Sequence, residues 1–461
     1  MIQTRDRLTY LSLCGLLGYG YPRVSLEAGL QHDLAFIGVD AGSSDPGPYY
    51  LGSGTSFVKE MQVRRDLEPA LVAAVRRKIP LIVGTAGGSG ARPHVDAFVA
   101  LVRELASAND LTFSMAVIYS DLDRTYLRQA LDAGRIAPCG HQHPLTDRAV
   151  ETVCNPVAQL GTEPLIEALD EGADVVVAGR CCDTAIFAAL PIARGLDPGL
   201  ALHCAKIAEC GALCARPAGA NDSLLCRLDA DGFEVEPLNP SRSCTPASVA
   251  AHSLYEQPQP DRFFEPEGMV DLRGCTFEPV DDRIVRVTGS RLQPAFDRTL
   301  KLEGAVQRGY RAVTIAGMAD PAAIKAIDLL EAGVRQAVDA NLEGLAGRDT
   351  YRLIFRRYGI DAVTFAAAKS ARSPAEIGLV IEVVAETQEL ADSVLALARS
   401  TALHQSFPGR KATAGNLAFP FSPSDLSAGP VYEFALYHLL RLLDGERPWK
   451  THYEIVGGNQ R

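Results

Sequence analysis

From the N-terminus to about residue 225, short apolar runs alternate with longer amphipathic stretches. That rhythm predicts parallel strands joined by helical crossovers. The apolar runs are residues 10–14, 34–39, 80–83, 113–118 and 174–178. Between them, residues 57–78 place Val58, Met61, Val63, Leu67, Leu71, Val72 and Val75 near one helical face, with Arg64, Arg65, Arg76 and Arg77 elsewhere. Residues 94–106, 125–133 and 164–169 follow the same period. Residues 1–225 therefore read as a Rossmann-like α/β domain built on a mostly parallel sheet.

Past residue 225 the texture changes to proline-rich connections and strand-like segments at 283–287, 299–302 and 310–315. Residues 322–342 predict one long helix. Strands at 352–358 and 377–384 and a helix at 388–402 follow. Residues 226–461 read as an α+β domain whose C-terminal segment packs back on the first domain. Neither internal repeats nor low-complexity segments interrupt the pattern.

Composition narrows the class. A chain of 461 residues exceeds what one core usually organises, and 47% hydrophobic with 22% charged residues is the balance of a globular enzyme. Net charge −11, from 45 basic and 56 acidic side chains, argues against a nucleic-acid partner. No run approaches the roughly 18 to 20 apolar residues of a bilayer span. Arg5 and Arg7 ahead of residues 8–17 imitate a secretory signal, but the run is short and ends in Gly15, Gly18 and Gly20, as a buried strand entering a turn does. Eleven cysteines, an odd number that includes the adjacent Cys181 and Cys182, point to reduced thiols and a cytoplasmic location.

Three clusters follow predicted strands, where open α/β sheets hold their ligands. After the strand at 34–39 comes a glycine- and proline-rich loop in which Asp40 is a candidate general base, and Ser43, Ser44 and Asp45 offer hydrogen bonds to a substrate. After residues 80–83, Gly87, Gly88, Ser89 and Gly90 form a small-residue turn able either to cradle an anion with backbone N–H groups or simply to make a tight connection. After residues 174–178, Arg180 supplies a forked cation for a carboxylate or phosphate, and Asp183 either orients it or moves a proton. Cys181 and Cys182 read as packing. In the second half Arg291 and Asn416 are candidates for closing over a ligand.

Other chemistries lack support. His141-Gln142-His143 and the trio Cys204, Cys210 and Cys214 lack any metal-site spacing, and residues 200–215 read as one buried helix, so no metal is expected. There is no nucleophile elbow for serine hydrolysis and no glycine fingerprint for a nicotinamide cofactor.

Five stretches taken together resemble the acyclic terpene utilisation AtuA-like family. They are residues 39–54 (VDAGSSDPGPYYLGSG), 178–190 (AGRCCDTAIFAAL), 209–212 (ECGA), 244–256 (CTPASVAAHSLYE) and 413–430 (TAGNLAFPFSPSDLSAGP). The resemblance covers nearly the whole chain. It implies a setting in the catabolism of citronellol- and geraniol-type terpenes, where acyl-CoA intermediates are processed. This chain carries the elaborate loop at 39–54 where the naming branch has a simpler acidic strand end, so the resemblance carries over the family and not the substrate.

The combined expectation is a catabolic enzyme doing proton-transfer chemistry, a lyase, hydratase or isomerase, on a small carboxylate or its acyl-CoA thioester. Arg180 and the glycine turn would hold the anion, Asp40 or Asp183 would move the proton, and Asn416 or a backbone N–H would steady an enolate. No cofactor is expected; coenzyme A would enter only as part of the substrate. The alternative is a noncatalytic ligand-binding subunit partnering an acyl-CoA enzyme. A homo-oligomer is expected on general grounds, with room for a small partner subunit.

Overall fold

A computed structural model describes residues 7–347, 349–364, 374–411 and 413–458, so Arg5 lies outside it. The fold is α/β. The chain forms two compact units, Met1–Val306 with Phe434–Arg461, and Gln307–Glu433. The boundary expected at residue 226 falls inside the strand Leu224–Leu228, which extends the sheet of the first unit by pairing antiparallel with Leu8–Ser12. Strand pairing therefore moves the division to Val306 and Phe434.

In the first unit the strands β1 (Leu8–Ser12), β2 (Phe36–Gly42), β3 (Leu81–Gly88), β4 (Phe113–Tyr119) and β5 (Val175–Ala178) lie parallel in the order β1-β2-β3-β5-β4. Antiparallel strands complete a ten-stranded sheet. Leu224–Leu228, Gly232–Pro237, Val285–Thr288 and Thr276–Pro279 lie beyond β1, and Lys450–Val456 lies beyond β4. The two-residue period of a strand explains the two cores. Leu11, Ile37, Val39, Leu81, Val83, Val175 and Val177 face helices α1 (Glu60–Arg77) and α2 (Arg92–Ala108). Tyr10, Phe36, Ile82, Val176 and Ala178 face α3 (Asp183–Ala193) and α4 (Pro198–Ala208) on the other side. With both faces covered, these strands read as continuous apolar runs.

The expected helix over 200–215 stops at Ala208. Gly211 takes a left-handed φ of 58° and sits so close to Gly15 N and Asp222 O that only a glycine fits, and Gly211–Cys214 continues as a short 3-10 turn. A hairpin-based sheet of three strands, Arg262–Glu265, Gly268–Asp271 and Arg291–Pro294, packs beside α4.

The segments expected at 299–302 and 310–315 are parts of one strand, Thr299–Met318, which carries the chain from the first unit into the second. Within the second unit its distal part pairs with Ile377–Ala385, which also pairs with Tyr351–Tyr358. Leu379, Ile381 and Val383 face Leu330, Val334, Val394 and Leu395 of the helices Ile327–Asn341 and Gln388–His404. The helix expected over 322–342 is broken at Ala326, which has ψ 15° and donates to both Ala322 and Ala323 carbonyls, leaving Pro321–Lys325 as a separate turn.

Close backbone contact fixes the carboxyl ends of β2 and β3. A Cβ on Gly42 would lie 1.8 Å from the Gly88 carbonyl oxygen, whereas one on Gly172, at φ 83°, would meet nothing within 4 Å. Gly42→Ala should therefore lower unfolding free energy by about 3 kcal/mol, from overpacking. Gly172→Ala should cost only about 1 kcal/mol, from backbone conformation. Urea titration of both variants measures the difference.

Candidate functional site

The strand order places the ends of β2, β3 and β5 side by side, and the three sequence clusters meet there. Asp40 is buried near the carboxyl end of β2. Ser89 Oγ reaches the Ser43 carbonyl at 3.5 Å, while Ser43 Oγ accepts from the Asp45 N–H and the Ser44 carbonyl from Gly47, so these serines brace the loop. Asp45 itself is exposed.

The glycines at the end of β3 serve close packing. Gly87 lies against the His94 carbonyl, Gly88 against Gly42, and Gly90 against the backbone of Arg180, whose N–H donates to the Gly90 carbonyl at 3.1 Å. Thr85, buried at φ 44°, is a β-branched residue in the left-handed region, a conformation costing on the order of 1–3 kcal/mol that the surroundings must impose. Its hydroxyl lies 3.4 Å from Arg180 Nη1 and from the Cys181 N–H, and 3.3 Å from the Cys181 carbonyl.

Arg180 is almost fully buried and needs a counter-charge. Glu303 provides it from Thr299–Met318: its carboxylate, with no solvent exposure, accepts from Arg180 Nε at 2.9 Å and pairs with Lys301 Nζ at 2.7 Å. The strand's register against Cys154–Gln159 shifts between Glu303 and Ala305, an irregularity of the kind that re-aims a side chain. Burial alone would raise the Glu303 carboxyl, but Arg180 and Lys301 override it and hold the group at about 2. Sequence reading missed Glu303 and Lys301. The available signal was a lone carboxylate in the run Leu302, Gly304, Ala305 and Val306, which has to find a cation.

Asp183 opens α3, where the helix dipole favours a negative charge. Its Oδ1 lies 3.7 Å from Arg180 Nη1 and has no hydrogen-bond partner among the described residues. Burial pushes its carboxyl up against the pull of Arg180 and Lys206. Burial and then the neighbouring Asp183 push Asp40 up as well. At the end of α4, whose start is capped by Asp197, Lys206 pairs with Glu209. Burial raises Glu209 to about 7 even beside that cation. Glu265 is raised to about 8 by burial, then by Glu267 and Glu209. Thr162 donates to Glu267 from both its N–H, at 2.6 Å, and its hydroxyl, at 2.7 Å.

Glu265 and Lys301 share the wall of a cavity of about 610 Å³ with Gln159 and Cys182, and Phe264, Met269 and Leu439 make part of its apolar surface. Burial and the carboxylates of Glu265 and Glu267 push the Cys182 thiol up, away from the thiolate a nucleophile needs. The carboxyls Asp40, Asp183, Glu209, Glu265, Glu267 and Glu303 outnumber the cations Arg180, Lys206 and Lys301. Within it Glu209, at about 7, and Glu265, at about 8, retain protons near neutral pH, and acids that hold protons there can exchange them with a ligand.

Two sequence candidates lie elsewhere. Arg291 is exposed in the three-stranded sheet. Asn416 belongs to the second unit, where it accepts from Arg410 Nε at 3.0 Å and donates to the Ala402 and Gln405 carbonyls, so its amide ties a loop to a helix end. Among the described residues no group of three or more His, Cys, Asp and Glu side chains is arranged to hold a metal, and no helix is long and apolar enough to cross a membrane.

Residues 56–215 and 237–422, most of the chain, match the model of the acyclic terpene utilisation family protein AtuA. No curated protein and no solved structure matches the chain.

The raised carboxyls make stability depend on pH. A group at about 8 when folded and 4.5 when unfolded, as for Glu265, favours the fold fully below 4.5, and that contribution is lost as pH rises through 8. Glu303 acts oppositely: its contribution is present above 4.5 and is lost as pH falls toward 2. Melting temperature should therefore decline from pH 5 to pH 9, and Glu265→Gln should flatten that decline while leaving the acid limb in place. Differential scanning calorimetry across this range measures both limbs.

Proposed function

The chain belongs to the acyclic terpene utilisation AtuA family, and from that premise we propose that it is a catabolic enzyme moving a proton on a small carboxylate or its acyl-CoA thioester, as a lyase, hydratase or isomerase. The observation that carries the reading is the wall shared by Lys301, a cation fixed by Glu303, and Glu265, a carboxyl held protonated near neutral pH. A proton donor and a cation on one partly apolar cavity suit a substrate whose carbonyl gains negative charge as a neighbouring carbon loses its proton.

The roles follow from position. Lys301 meets the substrate's carboxylate or carbonyl oxygen, with Arg180 behind it reinforcing the positive field through their common partner Glu303. Glu265 on the cavity wall donates a proton to that oxygen. Asp183, part-exposed with an unbonded oxygen, takes the proton from the neighbouring carbon, and the nearby Asp40 tunes the charge state of Asp183. Coenzyme A enters, where it does, as part of the substrate. Eleven free cysteines favour a reducing, cytoplasmic setting.

A second reading, a noncatalytic ligand-binding subunit, draws support from Arg180. Its guanidinium is committed to Glu303 and buried, which is also what a purely structural ion cluster requires.

Proton exchange separates the two. Butyrate and butyryl-CoA are incubated with the enzyme in D₂O, and loss of the α-proton signal is followed by NMR, with binding measured by calorimetry. Enzyme-dependent exchange on either probe is expected, with Asp183→Asn slowing it about 10²- to 10⁴-fold at unchanged fold. Binding of a probe without any exchange would overturn the enzyme reading in favour of the binding subunit. Calorimetry carries its own expectation: anion binding draws protons into the carboxyl cluster, so affinity should fall as pH rises from 6 to 9.

A further inference from the structure

The ten-stranded sheet of the first unit ends on two strands of unlike character. Thr276–Pro279 is four residues long and closes on Pro279, which has no N–H to offer a further strand. Lys450–Val456, at the other end, runs seven residues without proline or bulge, in unbroken register from Lys450 opposite Tyr119 to Val456 opposite Phe113. Among the described residues no strand pairs on its outer side. Thr451, Tyr453, Ile455 and Val456 are strand-forming residues, and Tyr453 and Ile455 are 46% and 69% exposed. A long, regular edge that shows apolar side chains is a template for another strand.

The charges on this edge indicate which strand fits. Lys450 and Glu454 stand two residues to either side of His452, on one face of the strand. Glu454 is held in place by Arg103, which donates to both its oxygens at 2.8 and 2.9 Å. If a second copy of the strand lies antiparallel about a two-fold axis through His452, Lys450 of each copy faces Glu454 of the other, and Thr451 faces Tyr453. The lysine that would guard a lone edge is then neutralised in each copy, one pair on either side of the axis. Moving the axis to Tyr453 would set Lys450 against Val456 and lose both pairs, so the charges select the register.

We propose that the chain forms a two-fold dimer by antiparallel pairing of Lys450–Val456 with the same strand of a second copy, with His452 on the axis. The interface is isologous, and the sheets of the two copies join edge to edge.

Crosslinking tests the register directly. Directly opposed residues of antiparallel strands have Cα atoms about 4.5–5.5 Å apart, within the span a disulfide bridges. On mild oxidation His452→Cys should give a disulfide-linked dimer on a non-reducing gel, while wild type and Ile455→Cys should not. Analytical ultracentrifugation should show wild type as a dimer, weakened about tenfold by Lys450→Glu, which sets like charges opposite each other twice. All three positions are exposed, and circular dichroism checks that each variant folds. A wild-type monomer at micromolar concentration would sink the proposal, as would a dimer in which Ile455→Cys links and His452→Cys does not.

Discussion

Glu303 is the charge on which the rest of the site depends. A carboxylate with no exposure to water is stable only if cations meet it, and it draws Arg180 and Lys301 to one point at the end of the parallel strands. Arg180 in turn lies against Gly90, Thr85 and Asp183, so the position of this ion triplet governs the β3 turn and the start of α3. Removing Glu303 would leave two cations facing each other in a largely dry setting. The sharp turn at Thr85 is intelligible in this light: its strained backbone brings a hydroxyl beside the arginine.

Around that triplet the carboxyls divide by environment. Glu303, saturated by cations, stays ionised into strong acid, while Glu209 and Glu265 keep their protons to near neutrality because burial and like charges oppose ionisation. One small region thus contains both a permanent anion and exchangeable acids. Acid and base roles separate in enzymes by such differences of environment between chemically identical groups.

The parallel core was legible because its strands are buried on both faces and bounded by turns, so β1 to β5 and the helices between them follow from apolar periodicity. The expectation that three strand ends converge was likewise readable from chain order, and Asp40, Arg180 and Asp183 do lie together. What could not be read were contacts of large sequence separation. Glu303 lies 123 residues from Arg180, and Glu265 comes from a hairpin whose own sequence says nothing of a cavity. The glycines at 87–90 were ambiguous because an anion cradle and a backbone contact both require a missing Cβ; only the neighbouring Gly42, His94 and Arg180 show what occupies that space. The domain boundary was misplaced for a related reason. A change of local texture at residue 226 marks the passage from parallel to antiparallel strands, not the end of a sheet.

The order of the strands also bears on how the polypeptide matures during synthesis. β5 inserts between β3 and β4, so the central sheet stays open until residue 178 has left the ribosome. The far side of β4 remains uncovered much longer, because its partner is Lys450–Val456. At roughly 5–20 residues per second, more than three hundred residues pass before that flank is sealed, a delay of about a quarter of a minute to a minute. Throughout that time the outer edge of Phe113–Tyr119 lacks its partner strand, so its backbone N–H and C=O groups on that side are met by water alone.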